Sequence, residues 1–189
     1  MQKKCEKTLK LSNKDLIEFT LHYNKYKTQL YNFALKMTPD KMIAEDVIQN
    51  VFLKFFENIH KINNKSAIKN WLYTSTRNEI YTYFRKRKTR KTDSLDSNEI
   101  NQTTENQLNL ANSIEQKDFK DLILKKINEI PFEQREVFLL KEYGNFTYKE
   151  ISEMLEISSD LVKSRLYKTR QKLITFLKTI MENENSLEV

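Results

Sequence analysis

A basic face with hydrogen-bonding groups lies along the last helical segment of the sequence, residues 159–180. Val162, Leu166, Thr169 and Leu173 recur at the spacing of one buried helix face. The opposite face carries Lys163, Ser164, Arg165, Tyr167, Lys168 and Arg170. Arg and Lys donate hydrogen bonds to phosphates and to guanine edges, so this face suits the major groove of duplex DNA. The alternative is a solvated charged face, which is common in a lysine-rich chain.

A second candidate nucleic-acid surface lies in the helical segment that starts near Ser66. Its row at i, i+3, i+7, i+10 and i+14 consists of Trp71, Thr74, Asn78, Tyr81 and Arg85, and the basic run extends it with Lys86, Arg87, Lys88, Arg90 and Lys91. Aromatic rings stack on unpaired bases while Arg holds the backbone, so the row favours single-stranded nucleic acid. The alternative is a rim of half-buried aromatic side chains, especially at Trp71.

A third surface lies on the segment MIAEDVIQNVFLKFFENI, residues 42–59. Its apolar stripe, formed by Ile48, Phe52, Phe55 and Ile59, is an ordinary core face. The opposite face combines acids and amides with exposed apolar groups: Asp46, Gln49, Asn50, Leu53 and Glu57, with Phe56 at its border. Such a mixed surface suits docking against a partner helix. A single exposed Leu alone needs no such explanation.

The elements that position these faces form two halves. Residues 14–91 predict three helices: one from about Asp15 to Met37, one after a possible N-cap at Asp40, and one from near Ser66. Residues 118–181 predict four helices, at about 118–129, 133–143, 148–155 and 159–180, with breaks at Pro131 and Gly144. Residues 92–117, rich in Ser, Thr, Asn, Gln and acids, predict a flexible acidic linker.

The last two predicted helices form a helix-turn-helix. Thr147 and Glu150 have the spacing of a capping box, which starts the first of them. Ser158 is placed to cap the second. Short-linked helices with matching apolar faces define this motif. Glu156 stands in the turn, where Gly is more usual, so its backbone is expected to adopt a less comfortable conformation.

Composition limits the fold and the function. The chain has 189 residues, a formal net charge of +7, one Gly and two Pro. Few turn-forming residues and dominant helical periodicity predict an all-α protein with two small domains. The positive charge favours a polyanionic partner.

Several functional classes have no support in the residues. Cys5 is the only cysteine, and His22 and His60 are isolated, so neither a disulfide, a metal site nor a cofactor is expected. No catalytic constellation can be assembled, which argues against an enzyme. No apolar run predicts a signal peptide or membrane insertion, so we expect a cytoplasmic protein.

The order of these features resembles the extracytoplasmic-function (ECF) sigma factors of bacterial RNA polymerase. AEDVIQNVFLKFF resembles the family's polymerase-binding helix, and AIKNWLYTSTRNEIYTYFRKRKTRK its −10 segment. LILKKINEIPFEQREVFLLKEYGNFTYKEISEMLEISSDLVKSRLYKTRQKL resembles its −35 domain. The resemblance implies a sigma factor with core RNA polymerase and promoter DNA as partners, and an anti-sigma factor as a further partner.

The resemblance also implies residue roles. Asp46, Gln49, Asn50, Leu53 and Phe56 would face the clamp helices of the largest polymerase subunit. Asn78, with the loop at about 61–69, would capture an unstacked base of the non-template strand, while Arg77 and the basic run hold phosphates. The basic face of 159–180 would contact the −35 element as duplex.

Four positions depart from the family pattern. Glu156 replaces a usual Gly, Asp160 and Leu161 replace smaller or uncharged residues, and Thr76 replaces a frequent Ala. The first three leave the placement of the recognition helix open.

A free-standing helix-turn-helix regulator would explain residues 147–173 but leave the docking face on 42–59 without a role. A sigma-like adaptor that binds polymerase without melting DNA is the other alternative.

Overall fold

The structure is a computed structural model that describes residues 12–38, 40–62, 64–65, 67–93 and 114–185. Seven α-helices and one short 3-10 turn make up these residues, and they contain no strand: α1 Asn13–Met37, α2 Lys41–Asn58, the turn Ile59–Lys61, α3 Ala67–Asp93, α4 Ile114–Glu129, α5 Phe132–Glu142, α6 Tyr148–Leu155 and α7 Ser159–Asn185. The predicted all-α class is confirmed. Observed helix bounds differ from the predicted ones by a few residues, mainly where α4 begins earlier and α7 ends later.

The N-terminal domain is a three-helix unit whose starts are fixed by side-chain caps. Ser12 and Asp15 form a capping box at α1. The carboxylate of Asp40 accepts a hydrogen bond from the Met42 amide at 2.8 Å, which confirms the predicted cap of α2. The core between the helices includes Phe33 and Leu72, both fully buried, and the predicted stripe of α2 is buried as well.

The C-terminal domain contains the predicted helix-turn-helix. Thr147 and Glu150 form the capping box of α6, and their hydrogen bonds lower the pKa of the Glu150 carboxyl. The Ser158 hydroxyl accepts a hydrogen bond from the Leu161 amide at 3.2 Å and so caps α7. Ile151 of α6 and Val162 of α7 are fully buried against the rest of the domain. The apolar stripe therefore fixes α7 on its domain.

Two turns have backbone conformations that side chains rarely adopt. Glu156, at the end of α6, has φ 55° in the left-handed region, as expected from its place where Gly is usual. Asn145, just after α5, has φ 49°. At the neighbouring Gly144, an added Cβ would lie 2.5 Å from the Phe146 ring and 2.6 Å from the Leu140 carbonyl oxygen. Glycine is required there for space.

The two domains pack against each other in the free chain, an arrangement that the sequence left open. The ring of Tyr73 in α3 packs edge-on against Phe146, with centroids 5.0 Å apart. The Tyr73 hydroxyl donates to the Tyr143 carbonyl at 3.4 Å. The central part of the predicted linker, residues 94–113, lies outside the described residues, whereas its two ends belong to α3 and α4.

Two kinds of feature are absent from the described part of the chain. None of its helices is long and apolar enough to cross a membrane. It also holds no group of three or more His, Cys, Asp or Glu side chains able to bind a metal ion.

Candidate nucleic-acid and docking interfaces

The exposed side of α7 presents the first predicted DNA-binding face. Val162 and Thr169 are fully buried and Leu166 is nearly so, which turns the opposite side of the helix to solvent. Five of the six predicted residues are exposed there, namely Lys163, Ser164, Tyr167, Lys168 and Arg170. The Tyr167 side chain is 66% exposed, although it is aromatic. This separation of an apolar and a polar side leaves the face accessible to a duplex groove.

Three cations of α7 are paired with carboxylates of the same domain. Arg165 is bound to Glu133, and its side chain is only 18% exposed. Arg170 binds Glu142 at 2.7 Å, and this hydrogen bond raises the pKa of the guanidinium. Lys163 binds Asp160 at 3.0 Å. Asp160, one of the departures from the family pattern, therefore reduces the positive charge at the start of the helix.

The predicted row on α3 is divided by the structure into exposed and covered positions. Asn78 and the basic residues Arg85, Lys86, Arg87 and Lys88 are exposed, whereas Thr74 is half-buried. Trp71 is also half-buried, with its ring centroid 5.8 Å from that of Phe55. Its packing matches the alternative of a half-buried aromatic rim. Asn78 and residues 85–88 are the open part of this face, and Tyr81 is 38% exposed beside them.

Arg77 and Tyr81 of the same face are held by the other domain. Arg77 Nε donates to Glu136 Oε1 at 2.9 Å, and the Tyr81 hydroxyl donates to Glu136 Oε2 at 3.0 Å. Glu136, in α5, is 2% exposed. Burial raises the pKa of its carboxyl even though Arg77 acts in the opposite direction. Burial, together with the charge of Glu136, raises the pKa of Tyr81 to about 12.

Glu136 was not identified by the sequence reasoning, although a signal for it exists. It follows Phe132 by four residues and precedes Leu140 by four, so it lies on the apolar stripe of a helix. A carboxylate on such a stripe is costly to bury without partners. An acid at that position therefore indicates a cation from another element, but periodicity cannot identify which cation.

The predicted docking face of α2 is exposed. Asp46, Gln49 and Asn50 lie at the surface, and Leu53 is 57% exposed. Phe56 is half-buried at the border, with its ring edge-on to Phe19 at a centroid distance of 5.0 Å. The face therefore presents amides, an acid and an apolar side chain together, as the residue spacing predicts.

Comparison with known proteins assigns both domains. Residues 22–90 match the family described as Sigma-70 region 2, and residues 120–173 match Sigma-70 region 4. The first match contains the faces on α2 and α3, and the second contains the face on α7.

Individual relatives agree with this assignment. The ECF RNA polymerase sigma factor SigM of Bacillus subtilis is 33% identical over 80% of this chain and 90% of its own length. The ECF sigma factor SigX of the same organism is 24% identical over 90% of this chain and 91% of its own.

Solved structures show the same relationship. The sigma factor RpoE of Bartonella quintana, crystallised with the anti-sigma factor NepR, superposes with a TM-score of 0.68 and 27% identity, covering 85% of this chain and 97% of that one. CnrH, solved with the cytosolic domain of CnrY, has a TM-score of 0.59 at 14% identity, covers 87% of this chain and 90% of its own, and supports the fold alone. The chain belongs to the ECF sigma factors of the sigma-70 family, the non-catalytic subunits that bind core RNA polymerase and promoter DNA to start transcription.

Proposed function

We propose that this sigma factor reads the −35 element as duplex through α7 and the −10 element as unpaired bases through α3. The observation that carries the proposal is the division of α7 into a buried side with Val162 and Leu166 and an exposed side with Lys163, Tyr167 and Lys168. A helix fixed in this way can enter a major groove without unfolding its own domain. Phosphate contacts then set its register, and base-edge contacts supply specificity.

The −10 element requires different chemistry, because its bases must leave the stack. Extrusion of a base costs a few kcal/mol, and contacts between the protein and the captured base must offset this cost. Asn78 is exposed on α3 and has both a donor and an acceptor for a base edge. The basic residues Arg85 to Lys88 continue the same helix and supply cations for the displaced strand. Arg77 and Tyr81 complete this site when Glu136 does not hold them.

Core polymerase would dock on α2. Its exposed face presents Leu53 beside Asp46, Gln49 and Asn50, a combination in which an apolar contact supplies affinity and polar groups set the register. The Bartonella relative was solved with an anti-sigma factor, which supports a partner of that type here as well. A protein acting on polymerase and chromosomal DNA would work in the bacterial cytoplasm.

The test is transcription in vitro with purified bacterial core polymerase, this protein and a library of genomic fragments from its source. We expect defined start sites that share two spaced motifs upstream. Permanganate footprinting should detect reactive thymines at the downstream motif, because unpaired thymines are oxidised. Core binding without start sites or reactive thymines would instead identify an adaptor that does not melt DNA.

The docking assignment has its own test. Leu53→Asp should reduce core affinity at least about a hundredfold, since it leaves an unpaired charge in a desolvated helix contact. Leu21→Asp is the matched control, because Leu21 is a leucine of α1 with 65% exposure outside the proposed face. Equal losses for the two variants would contradict docking through α2.

A further inference from the structure

Glu136 has hydrogen-bond partners that belong to the other domain. One carboxylate oxygen accepts from Arg77 Nε and the other from the Tyr81 hydroxyl, at 2.9 and 3.0 Å. The guanidinium of Arg77 also lies over the Tyr81 ring, 4.6 Å from its centroid. A buried carboxylate needs such partners, because its desolvation is otherwise uncompensated. The contact therefore depends on both domains being together.

Aromatic side chains of α3 and α5 pack beside this ion pair. Phe132, one turn before Glu136, packs edge-on against Tyr81 and Phe84 at centroid distances of 5.2 and 5.5 Å. At the other end of the contact, Lys69 lies 4.1 Å from the centroid of the Phe146 ring and donates to the Asn145 carbonyl at 3.3 Å. The interface thus excludes water around Glu136 and extends beyond a single salt bridge.

Three glutamates of the C-terminal domain, on α5, each hold an arginine from a proposed DNA-binding face. Glu133 binds Arg165 and Glu142 binds Arg170, both of which lie on α7. Glu136 binds Arg77 on α3. A carboxylate with two acceptor oxygens satisfies a guanidinium much as a phosphate does. The acidic side chains of α5 therefore occupy anion positions on both faces, and of these three ion pairs only Glu136–Arg77 crosses from one domain to the other.

We propose that this arrangement is an autoinhibited state in which α5 acts as an internal substitute for the DNA backbone on α3. Promoter strand and Glu136 compete for Arg77 and Tyr81, so the −10 face becomes complete only after the domains separate. The inference rests on the proposed function of α3 and adds its regulation.

The docking face of α2 remains available in the closed state. Leu53 is exposed, whereas Arg77 and Tyr81 are engaged by α5. Polymerase can therefore bind the closed protein first, and opening of the domains follows. This order weakens binding of single-stranded DNA by the free protein, because Arg77 is not available to the strand until the domains open.

Closure is measured in the free, full-length protein without DNA or polymerase. Donor and acceptor dyes are attached at Asn24→Cys in α1 and Lys178→Cys in α7, both exposed positions, after Cys5→Ser removes the native thiol. Glu136→Gln and Glu136→Lys should lower energy transfer, and the charge-reversal variant should lower it more. Glu133→Gln removes the same charge from the same helix but should leave transfer unchanged. Circular dichroism checks that each variant keeps its helices.

A charge swap separates electrostatics from misfolding. Arg77→Glu combined with Glu136→Arg should restore the energy transfer that Glu136→Lys loses. Unchanged energy transfer in both Glu136 variants would show that the Glu136–Arg77 pair does not hold the domains together, and would overturn the proposal. It would leave the proposed function of α3 intact, because that function is tested with core polymerase.

Competition is measured as binding of a short fluorescent single-stranded DNA of mixed sequence. Glu136→Gln should bind at least about fivefold more tightly than the native protein, since the competent state becomes more populated. Glu129→Gln removes an exposed carboxylate that pairs with Lys126, outside both proposed DNA-binding faces, and should change affinity by less than about twofold, which measures the effect of removing one negative charge. Domain opening without a gain in affinity would overturn the competition. Absence of reactive thymines with core-bound native protein would instead refute the proposed function itself.

Discussion

Arg77 on α3 and Arg165 on α7 are both bound by glutamates of α5, yet the two pairs differ in setting. Glu136 is 2% exposed and reaches across the domains, whereas the side chain of Glu133 is 67% exposed and stays within its own domain. Arg165 is itself only 18% exposed, so the pairs differ in their carboxylates; the hydrated carboxylate of Glu133 is screened by water and salt, and its pair contributes about 0–1 kcal/mol. Breaking a buried pair by removing one partner costs several times more. Freeing Arg165 therefore requires only that a pair with a hydrated carboxylate break, whereas freeing Arg77 requires that the buried pair between the domains break.

The largest difference between the two pairs is expected when Arg77 and Arg165 are each replaced by alanine. Arg77→Ala leaves the buried Glu136 without its cation, and we expect the closed arrangement to lose about 3–5 kcal/mol. Arg165→Ala should cost at most about 1 kcal/mol, because the carboxylate of Glu133 is hydrated. Hydrogen exchange of α3 and α5 amides measures the difference. Similar protection in the two variants would show that the buried pair does not hold the domains together.

The next largest effect concerns melting. Asn78→Ala should reduce open-complex formation roughly tenfold, about 1.4 kcal/mol, because it removes hydrogen bonds to a captured base. Binding to core polymerase should not change, since Asn78 lies outside the docking face. Permanganate reactivity and core affinity are the two measurements. A parallel loss of core affinity would reassign Asn78 to the docking surface.

A smaller effect tests the open face of α7. Lys168→Ala should weaken binding of the holoenzyme to −35 duplex severalfold and reduce the salt dependence of log K by about 1, the signature of one lost phosphate contact. Lys178→Ala, further along the same exposed helix, is the matched control. Equal changes for both lysines would mean that binding follows net charge rather than this face.

The smallest predicted effect is on stability and concerns the two turns with positive φ, one in the helix-turn-helix and one at the contact between the domains. Glu156→Gly should stabilise the protein by about 0.5–1 kcal/mol, because glycine adopts φ 55° without a steric penalty. Asn145→Gly should gain less, since Asn tolerates this region better than Glu. Urea unfolding measures both. A larger gain at Asn145 would locate the main backbone strain at the domain contact instead of the helix-turn-helix.

Local features were predictable from the sequence because short-range rules determine them. Asp40, Thr147 and Ser158 act as caps where their types and spacing predicted, and the buried stripe of α2 follows from periodicity. The family resemblance supplied the assignment of the three faces. Solvent exposure of Leu53 and Asn78 agrees with the predicted faces but does not test their roles.

Contacts between distant residues were not predictable in this way. Arg77 was assigned to phosphate, and nothing in its spacing indicates Glu136, which lies 59 positions further along the chain. Trp71 was placed on the nucleic-acid row, but its ring packs beside Phe55. Periodicity states which side of a helix a residue occupies, whereas only tertiary packing decides what covers that side.

Gly144 has a consequence for how this chain can change over time. A composition rich in Lys, Asn and Ile is typical of AT-rich coding sequences, whereas glycine codons begin with two guanines. The protein has a single glycine, and it lies where a methyl group would meet the Phe146 ring at 2.5 Å. Mutational drift toward AT-rich codons can therefore replace exposed residues outside the three functional faces with little penalty, but at codon 144 it meets a steric limit.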